Sequence, residues 1–213
     1  MVWLSQPTQS PHLLSRFHLA QCGTVHLPGN SDRRKQQNTH DLFAGFALNF
    51  IRRHQREPFF LYVPFTAPHD DIEIPDMAPY ADQSWTEEEK VYAAMITRMD
   101  RDIGTILSLL QELSLDERTI VFFCSDNGAA NRYEHLFKNS GLLTGRKRDM
   151  TEGGIRTPMV VRWPGKVPAA QVSEQPWTLA DFFATATDLA DAPSPPANDA
   201  RGILPTLLGV CRT

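Results

Sequence analysis

The chain contains 213 residues, of which 25 are acidic and 21 are basic, so its formal charge is -4. Hydrophobic residues make up 41% of it and charged residues 22%, a mixture that fits a globular protein and excludes a disordered one. The weak negative charge excludes a basic field that would recruit nucleic acid, and no apolar run reaches the ~20 residues needed to span a bilayer. At roughly 150 residues per domain, one α/β domain is the simplest interpretation.

The first forty residues carry few structural signals. They mix Gln, Ser, Pro and His without a clear period, and Met1–Ser15 lacks the basic and apolar regions of a signal peptide. The three cysteines, Cys22, Cys124 and Cys211, are too few and too scattered for a disulfide framework or a zinc site. We therefore expect a soluble chain and leave its compartment open.

The first predicted elements are a helix and a strand. Apolar residues recur at helical spacing from Leu42 to Ile51, and the cations of Arg52–His54 suit the C-terminal end of a helix. The segment Phe59–Val63 is then an uninterrupted apolar run, typical of a strand that is covered on both faces.

A long helix comes next. Thr86 with Glu89 three residues later predicts a capping box at its start. Apolar residues then step by threes and fours from Val91 to Leu113. Polar residues, among them Arg98 and Asp102, occupy the opposite face, and this arrangement predicts a structural helix.

Two further strands and a helix complete the pattern. Thr119–Cys124 and Met159–Trp163 read as strands, and an amphipathic helix follows from Thr178 to Ala190. Strand, long helix and strand in this order form a βαβ unit, which implies a parallel pair with a right-handed crossover. The predicted fold class is therefore α/β, with a mostly parallel sheet flanked by helices.

Polar side chains of catalytic type follow the first two predicted strands, where ligands bind in open parallel sheets. His69 comes after the first strand, where it is either a proton donor or oxyanion ligand, or a surface residue of a Pro-rich loop. Asp126 and Asn127 come after the second strand. They offer hard oxygens for Ca²⁺ or Mg²⁺, or else they form a simple Asp-Asn-Gly turn.

A third candidate segment is Gly145–Arg156, in which Lys147 lies among arginines and glycines. Such a loop lets the backbone and a cation approach a sulfate or a phosphate. It matches no standard phosphate-loop pattern, so the spacing alone leaves a solvated surface loop as the alternative.

Taken together and in order, these segments resemble the sulfatase family, whose fold is alkaline-phosphatase-like. The resemblance covers Asp41 to Gly209 and gives the chain two parts: a poorly defined N-terminal part of the sulfatase core at residues 1–40, and the remainder of one incomplete catalytic domain at residues 41–213. The matching stretches are Asp41-Leu42-Phe43, Pro58-Phe59-Phe60-Leu61-Tyr62, Thr66-Ala67-Pro68-His69, Met99-Asp100-Arg101-Asp102-Ile103-Gly104, Ser125-Asp126-Asn127-Gly128, Gly145 with Lys147, Glu152-Gly153-Gly154-Ile155-Arg156-Thr157-Pro158, and Trp163-Pro164-Gly165.

The resemblance implies hydrolysis of a sulfuric ester. Sulfatases use a cysteine or serine converted to formylglycine as the nucleophile, with Ca²⁺ or sometimes Mg²⁺ as a Lewis acid. Asp126 and Asn127 match two metal ligands of the family, and Lys147 matches a lysine that contacts the sulfate and the leaving-group oxygen. His69 matches a histidine that binds sulfate and protonates the leaving alkoxide. The implied substrate is a saccharide or small-molecule sulfate ester, and family members are often exported or lysosomal.

The chain departs from the family pattern in two ways that bear on activity. No Cys/Ser-x-Pro/Ala-x-Arg nucleophile motif occurs in it, and the paired aspartates that supply the other half of the metal site are absent. We therefore expect a sulfatase truncated at both ends and inactive by itself. The alternatives are a non-catalytic remnant with a weak anion or calcium pocket, or a fragment of a related phosphonate or phosphodiester hydrolase.

Overall fold

The structure is a computed structural model that describes residues 4–5, 16–19, 23–26, 38–69, 74–193 and 199–209. The chain folds as two compact units, Met1–Leu115 and Asp116–Thr213. Cys22 and Cys211 lie outside the described residues. No helix in the described part of the chain is long and apolar enough to cross a membrane.

The first unit begins with a small antiparallel sheet. Its strands are β1 (Leu4–Ser5), β2 (Arg16–Leu19) and β3 (Gly23–His26), and β2 lies between the other two. The register pairs Leu19 with Gly23 across a short connection. Strands of two to four residues are too short to show an alternating apolar pattern, and the sequence analysis does not predict them.

Helix α1 (Thr39–His54) confirms the first predicted helix. Its start lies slightly ahead of the apolar pattern because the side chain of Asn38 caps it, accepting a hydrogen bond from the His40 amide at 2.9 Å. Its apolar buried side chains share one face: Phe43, Ala44, Ala47 and Ile51.

Helix α2 (Glu87–Glu112) confirms the predicted long helix and its capping box. The Thr86 amide donates to Glu89 Oε2 at 2.7 Å, and the Glu89 amide donates to Thr86 Oγ1 at 3.3 Å. Two donors left unpaired at the start of a helix are thereby satisfied. Near the other end, Leu109 and Leu110 are buried.

Two pairs of polar side chains connect α1 to α2. Both Nε and a terminal nitrogen of Arg98 donate to the Asp41 carboxylate at 2.6 Å, and this bidentate contact raises the pKa of Arg98. Asp102 is 8% exposed, and its Oδ2 lies 3.1 Å from Nε2 of His40. Asp102 lies on the polar face of α2, as predicted, and α1 covers this part of that face.

The predicted strand Phe59–Val63 is not formed. Residues 58–66 adopt no regular secondary structure, and Phe60 and Tyr62 are 52% and 63% exposed. A strand requires a neighbouring backbone to hydrogen-bond to, and no strand of the described residues pairs with this segment. An apolar run alone cannot distinguish a strand from an extended loop.

The second unit contains a two-stranded ribbon, β4 (Val121–Cys124) and β5 (Met159–Arg162), at two of the predicted strand positions. The strands are antiparallel, and Phe122 is opposite Val161. The fold class is α/β as predicted, but all strand pairings among the described residues are antiparallel. The predicted parallel βαβ pair does not occur among these residues because its first strand, Phe59–Val63, does not form.

Helix α5 (Asp181–Leu189) confirms the last predicted helix and packs on the ribbon through aromatic contacts. The ring of Phe122 meets Phe182 edge to face at 5.2 Å, and the ring of Trp177 lies 6.0 Å away. The unit also contains a short 3-10 helix and three short α-helices: Asp116–Arg118, α3 (Glu134–Phe137), α4 (Glu152–Ile155) and α6 (Leu204–Leu207).

The buried His40 predicts how stability depends on pH. Desolvation by burial lowers its pKa and outweighs the opposing effect of Asp102, so the unfolded chain binds this proton more readily than the folded one. Burial of the uncharged His40 therefore contributes fully to the free energy of unfolding above about pH 6.5. This contribution is lost as the pH falls below that value.

We expect the melting temperature to fall between about pH 7.5 and about pH 5.5, and to fall less in His40→Gln. Asn49→Gln, at an exposed and non-titratable position of α1, is the matched control and should keep the wild-type pH dependence. An identical pH dependence in His40→Gln and the wild type would contradict the assignment.

Candidate functional site

The loop after β4 carries the two predicted metal ligands. The Ser125 hydroxyl donates to the backbone oxygen of Asn127 at 3.0 Å, which closes the loop over Asp126. The Asp126 side chain is exposed and Asn127 is half-buried. The backbone bends at Asp126-Asn127-Gly128, and the bend carries two oxygen-bearing side chains. Their role as metal ligands stays a prediction.

Three backbone segments meet beside this loop, and we call them the glycine junction: residues 125–130, 144–149 and 151–154. The Gly128 amide donates to the Gly154 oxygen at 2.9 Å, and the Lys147 amide donates to the Ala129 oxygen at 2.8 Å. The Gly153 amide donates to the Thr144 oxygen at 2.8 Å. These bonds bring the backbone of the Asp126–Asn127 loop and that of Lys147 together.

Glycine is required at the junction because the backbones approach too closely for a side chain. A Cβ atom at Gly128 would overlap the backbone oxygens of Gly153 and Gly154, and one at Gly153 would overlap the oxygens of Gly145 and Thr144. Each obstacle is a backbone atom, which cannot rotate away as a side chain does. The Glu-Gly-Gly segment of the sequence therefore has a steric function.

Lys147 occupies the corner of a tight turn. The Asp149 amide donates to the Arg146 oxygen at 2.9 Å, and the Asp149 carboxylate accepts from the Arg146 amide at 3.0 Å. Arg148, at the third position of the turn, has φ = 81°, as in a type II turn, where glycine is preferred. A non-glycine residue in such a conformation costs ~1–3 kcal/mol and is typical of functional loops.

The segment that connects the loop to Lys147 is fixed by Asn139. Its side-chain nitrogen donates to the Arg132 oxygen at 3.0 Å and to the Ala130 oxygen at 3.4 Å. Tyr133 is buried, and His135 on α3 is exposed. Around Lys147, the exposed Arg146 and Arg148 add positive charge to the surface.

His69, the predicted proton donor, lies in the first unit. It is exposed, and its amide donates to the Thr66 oxygen at 3.0 Å in a turn at the end of the extended loop. Further back in the loop, Phe65 packs against Phe43 of α1 and lies 4.5 Å from the His40 ring.

The side-chain oxygens of Asp126 and Asn127 are of the type that binds a divalent cation, but they are too few to bind one by themselves. The oxygens of Asp126 and Asn127 suit Ca²⁺ or Mg²⁺, but Ca²⁺ takes six to eight oxygen ligands. Among the described residues, no three His, Cys, Asp or Glu side chains are grouped so that they could hold a metal ion. This part of the chain therefore does not form a complete metal site.

Cys124 lies at the end of β4, two residues before Asp126, and has a free, half-buried thiol. Burial raises its pKa, and the negative charge of Asp126 raises it further. A thiol in this environment stays protonated at neutral pH and is a weak nucleophile.

Comparison with known proteins identifies the family of this chain. The model of the family described as Sulfatase matches residues 6–192. The chain belongs to the sulfatase family. The α/β fold of this sulfatase chain is the alkaline-phosphatase-like fold of the family, and the predicted resemblance is confirmed.

Two curated relatives and one solved structure illustrate the similarity. N-acetylgalactosamine-6-sulfatase of Canis lupus familiaris is 37% identical over 183 residues, which are 82% of this chain and 33% of that protein. Steryl-sulfatase of Mus musculus is 33% identical over 175 residues, 78% of this chain and 27% of that protein. The structure of Ps i-CgsB in complex with k-i-k-neocarrahexaose matches with a TM-score of 0.77 and 25% identity, covering 92% of this chain and 42% of the other.

The sulfatase chain thus spans about a third of the length of the curated relatives that it matches. Sulfatases in general use a divalent metal.

The sequence analysis misses the residues that position the site. Asp149 supports the Lys147 turn from both ends, and Asn139 fixes the segment before it. Both residues favour local side-chain to backbone bonds, which is a usable signal next to a candidate lysine. His40 and Asp102 leave no such signal, because their contact joins two helices that are distant in the sequence.

We expect Gly153→Ala to lower the free energy of unfolding by roughly 1–3 kcal/mol, because its Cβ would force two backbone oxygens apart. Gly104→Ala in α2 is the matched control. No atom lies within 4 Å of its added Cβ, and it should be neutral or stabilising by about 0.5–1 kcal/mol. Urea denaturation followed by circular dichroism measures both, and equal effects would contradict the steric argument.

Proposed function

We propose that the protein represented by this chain hydrolyses sulfuric esters, and that this chain supplies the half of the active site that binds sulfate and the leaving group. One observation carries the proposal. In a member of the sulfatase family, the loop of Asp126 and Asn127 is hydrogen-bonded through Ala129 to the Lys147 amide and through Gly128 to the Gly154 oxygen.

The reaction adds water across the S–O bond of R–O–SO₃⁻, which gives the alcohol R–OH and hydrogen sulfate. Negative charge grows on the leaving oxygen as the S–O bond breaks. The ammonium group of Lys147 would bind the sulfate oxygens and the leaving oxygen, where it neutralises this charge. The turn fixes the backbone that carries Lys147 before the substrate arrives, which reduces the reorganisation that the reaction requires.

His69 is proposed as the proton donor to the leaving alkoxide. An alkoxide is a poor leaving group, and protonation by a positioned side chain typically contributes 10²–10⁴-fold to the rate. The exposure of His69 at the tip of its loop leaves the imidazole accessible to a substrate.

Asp126 and Asn127 are proposed as two ligands of a divalent cation, Ca²⁺ or Mg²⁺. Such an ion, when bound, offsets the charge of a sulfate as a Lewis acid. Two oxygen ligands do not complete the coordination of Ca²⁺, so the ion would need further ligands beside these two residues.

We further propose that the chain by itself does not turn over sulfate esters. None of its cysteines or serines lies in the Cys/Ser-x-Pro/Ala-x-Arg context of the family nucleophile, and Cys124 has a raised pKa. A route through a covalent sulfate intermediate requires that nucleophile.

The substrate class is proposed to be a saccharide or small-molecule sulfate ester. The names of the relatives, N-acetylgalactosamine-6-sulfatase and steryl-sulfatase, include both kinds. A second candidate function, non-catalytic binding of a sulfated ligand, is favoured by the cluster of Arg146, Lys147 and Arg148 and by the incomplete set of metal ligands.

We expect the purified chain with Ca²⁺ to hydrolyse 4-nitrophenyl sulfate no faster than buffer does, because it lacks the nucleophile. Release of 4-nitrophenol measures the rate. Turnover by the chain that disappears in Asp126→Ala would contradict the expected inactivity.

The active-site proposal is tested in a chimera in which this chain replaces the matching segment of N-acetylgalactosamine-6-sulfatase. We expect Lys147→Ala to lower its kcat/KM by roughly 10²–10³, because a charge-stabilising donor is lost. Lys166→Ala, an exposed lysine in the turn after β5, is the matched control and should leave kcat/KM unchanged. Equal activities of the two variants would overturn the role of Lys147.

A further inference from the structure

We propose that His40 is a positioning residue for His69: its ring, set between Asp102 of α2 and Phe65 of the following loop, fixes the segment that ends at His69. The meaning of this contact for catalysis rests on the proposed function, in which His69 is the proton donor. The contact itself lies wholly within the first unit.

The position of His40 is well determined by the backbone. It lies in the first turn of α1, where Asn38 caps its amide, and it is 7% exposed. A buried side chain at the capped start of a 16-residue helix has little freedom to move.

One edge of the His40 ring faces the carboxylate of Asp102. Nε2 of His40 lies 3.1 Å from Oδ2 of Asp102, whose other oxygen accepts from Arg101 at 2.7 Å and 2.9 Å. The other charged groups acting on this ring are Asp41 and Arg98, which are paired with each other. The ring is therefore held from α2 as well as from α1.

The face of the ring meets an aromatic side chain. The centroids of His40 and Phe65 are 4.5 Å apart, with their planes inclined at 32°. Phe65 also packs against Phe43, one turn further along α1. Burial lowers the pKa of His40, so at neutral pH an uncharged ring contacts Phe65 and no charge has to be desolvated.

Because Phe65 is held against α1, the residues that follow it, up to His69, are also restricted. Phe65 donates its amide to the Val63 oxygen at 3.0 Å, and His69 donates its amide to the Thr66 oxygen at 3.0 Å. Only three residues separate Phe65 from His69, and the turn leaves little slack between them. Phe65 therefore anchors the loop to α1, and the His40 ring holds Phe65 in place.

The experiment measures hydrogen exchange of the His69 amide by NMR in the full chain. We expect His40→Ala to speed this exchange by about tenfold or more, because the loop loses its anchor and its turn opens locally. The Leu113 amide, which donates to the Leu109 oxygen at 3.1 Å, reports on the rest of the unit and should stay within about twofold of the wild type. His54→Ala, the same change at the other end of α1, should leave His69 unchanged.

A double-mutant cycle with Phe65→Ala separates positioning from general destabilisation. If His40 acts through Phe65, the double variant should exchange the His69 amide no faster than the faster single variant. Additive effects would overturn the proposal, and so would equal acceleration at His69 and Leu113. If His40→Ala does not fold, Phe65→Leu removes the ring contact while it keeps an apolar side chain. Unchanged exchange at His69 in that variant would also overturn it.

The outcome is independent of sulfatase activity. Exchange at His69 needs no turnover, so a failure of the coupling leaves the chimera result standing. Conversely, a chimera without sulfatase activity leaves the coupling of His40 to His69 intact.

Discussion

The candidate site of the second unit depends on the close approach of three backbone segments. At the glycine junction, main-chain amides donate directly to main-chain oxygens, and the space that two side chains would need is occupied by backbone. Because these amides and oxygens pair with one another, the loops are fixed without becoming strands of a sheet. Asp126, Asn127 and Lys147 thus lie on irregular segments whose backbones are nevertheless fixed by hydrogen bonds.

In the first unit, side-chain pairs rather than backbone contacts fix the structure, because charged and polar side chains pair between α1 and α2. His40 and Asp41 are neighbours on α1, while their partners Asp102 and Arg98 are one turn apart on α2. Partly buried polar pairs contribute little net stability, because desolvation offsets their attraction. They do specify register, since sliding one helix past the other would leave both pairs broken. We regard this registry as the main value of the two pairs.

Much of the local structure is predictable from the sequence, and the reason is that its causes are local. The capping box at Thr86 and the apolar period of α1 involve residues three or four positions apart, and both predictions are confirmed. The strand predicted at Phe59–Val63 fails because a strand depends on a partner that lies elsewhere in the chain. For the same reason the antiparallel pairing of β4 with β5 is not visible in an apolar run.

The candidate site shows the same division between local and distant causes. Asp126, Asn127 and Lys147 each lie in a short motif, and their proximity follows from the backbone contacts around the neighbouring glycines. Their roles as metal ligands and as a sulfate contact stay predictions. The supporting residues Asp149 and Asn139 act through backbone contacts that no motif records. His40 is the extreme case, because its significance depends on residues of another helix and of a loop.

The two-stranded ribbon has a consequence for how the chain behaves in concentrated solution. β4 and β5 each have only one partner among the described strands, so each presents an unpaired edge. Phe123 and Val160 lie opposite each other and are 38% and 57% exposed. An apolar ribbon with open edges is a template for pairing between molecules. We therefore expect the isolated chain to self-associate as its concentration rises, which makes protein concentration a variable of its folding and binding.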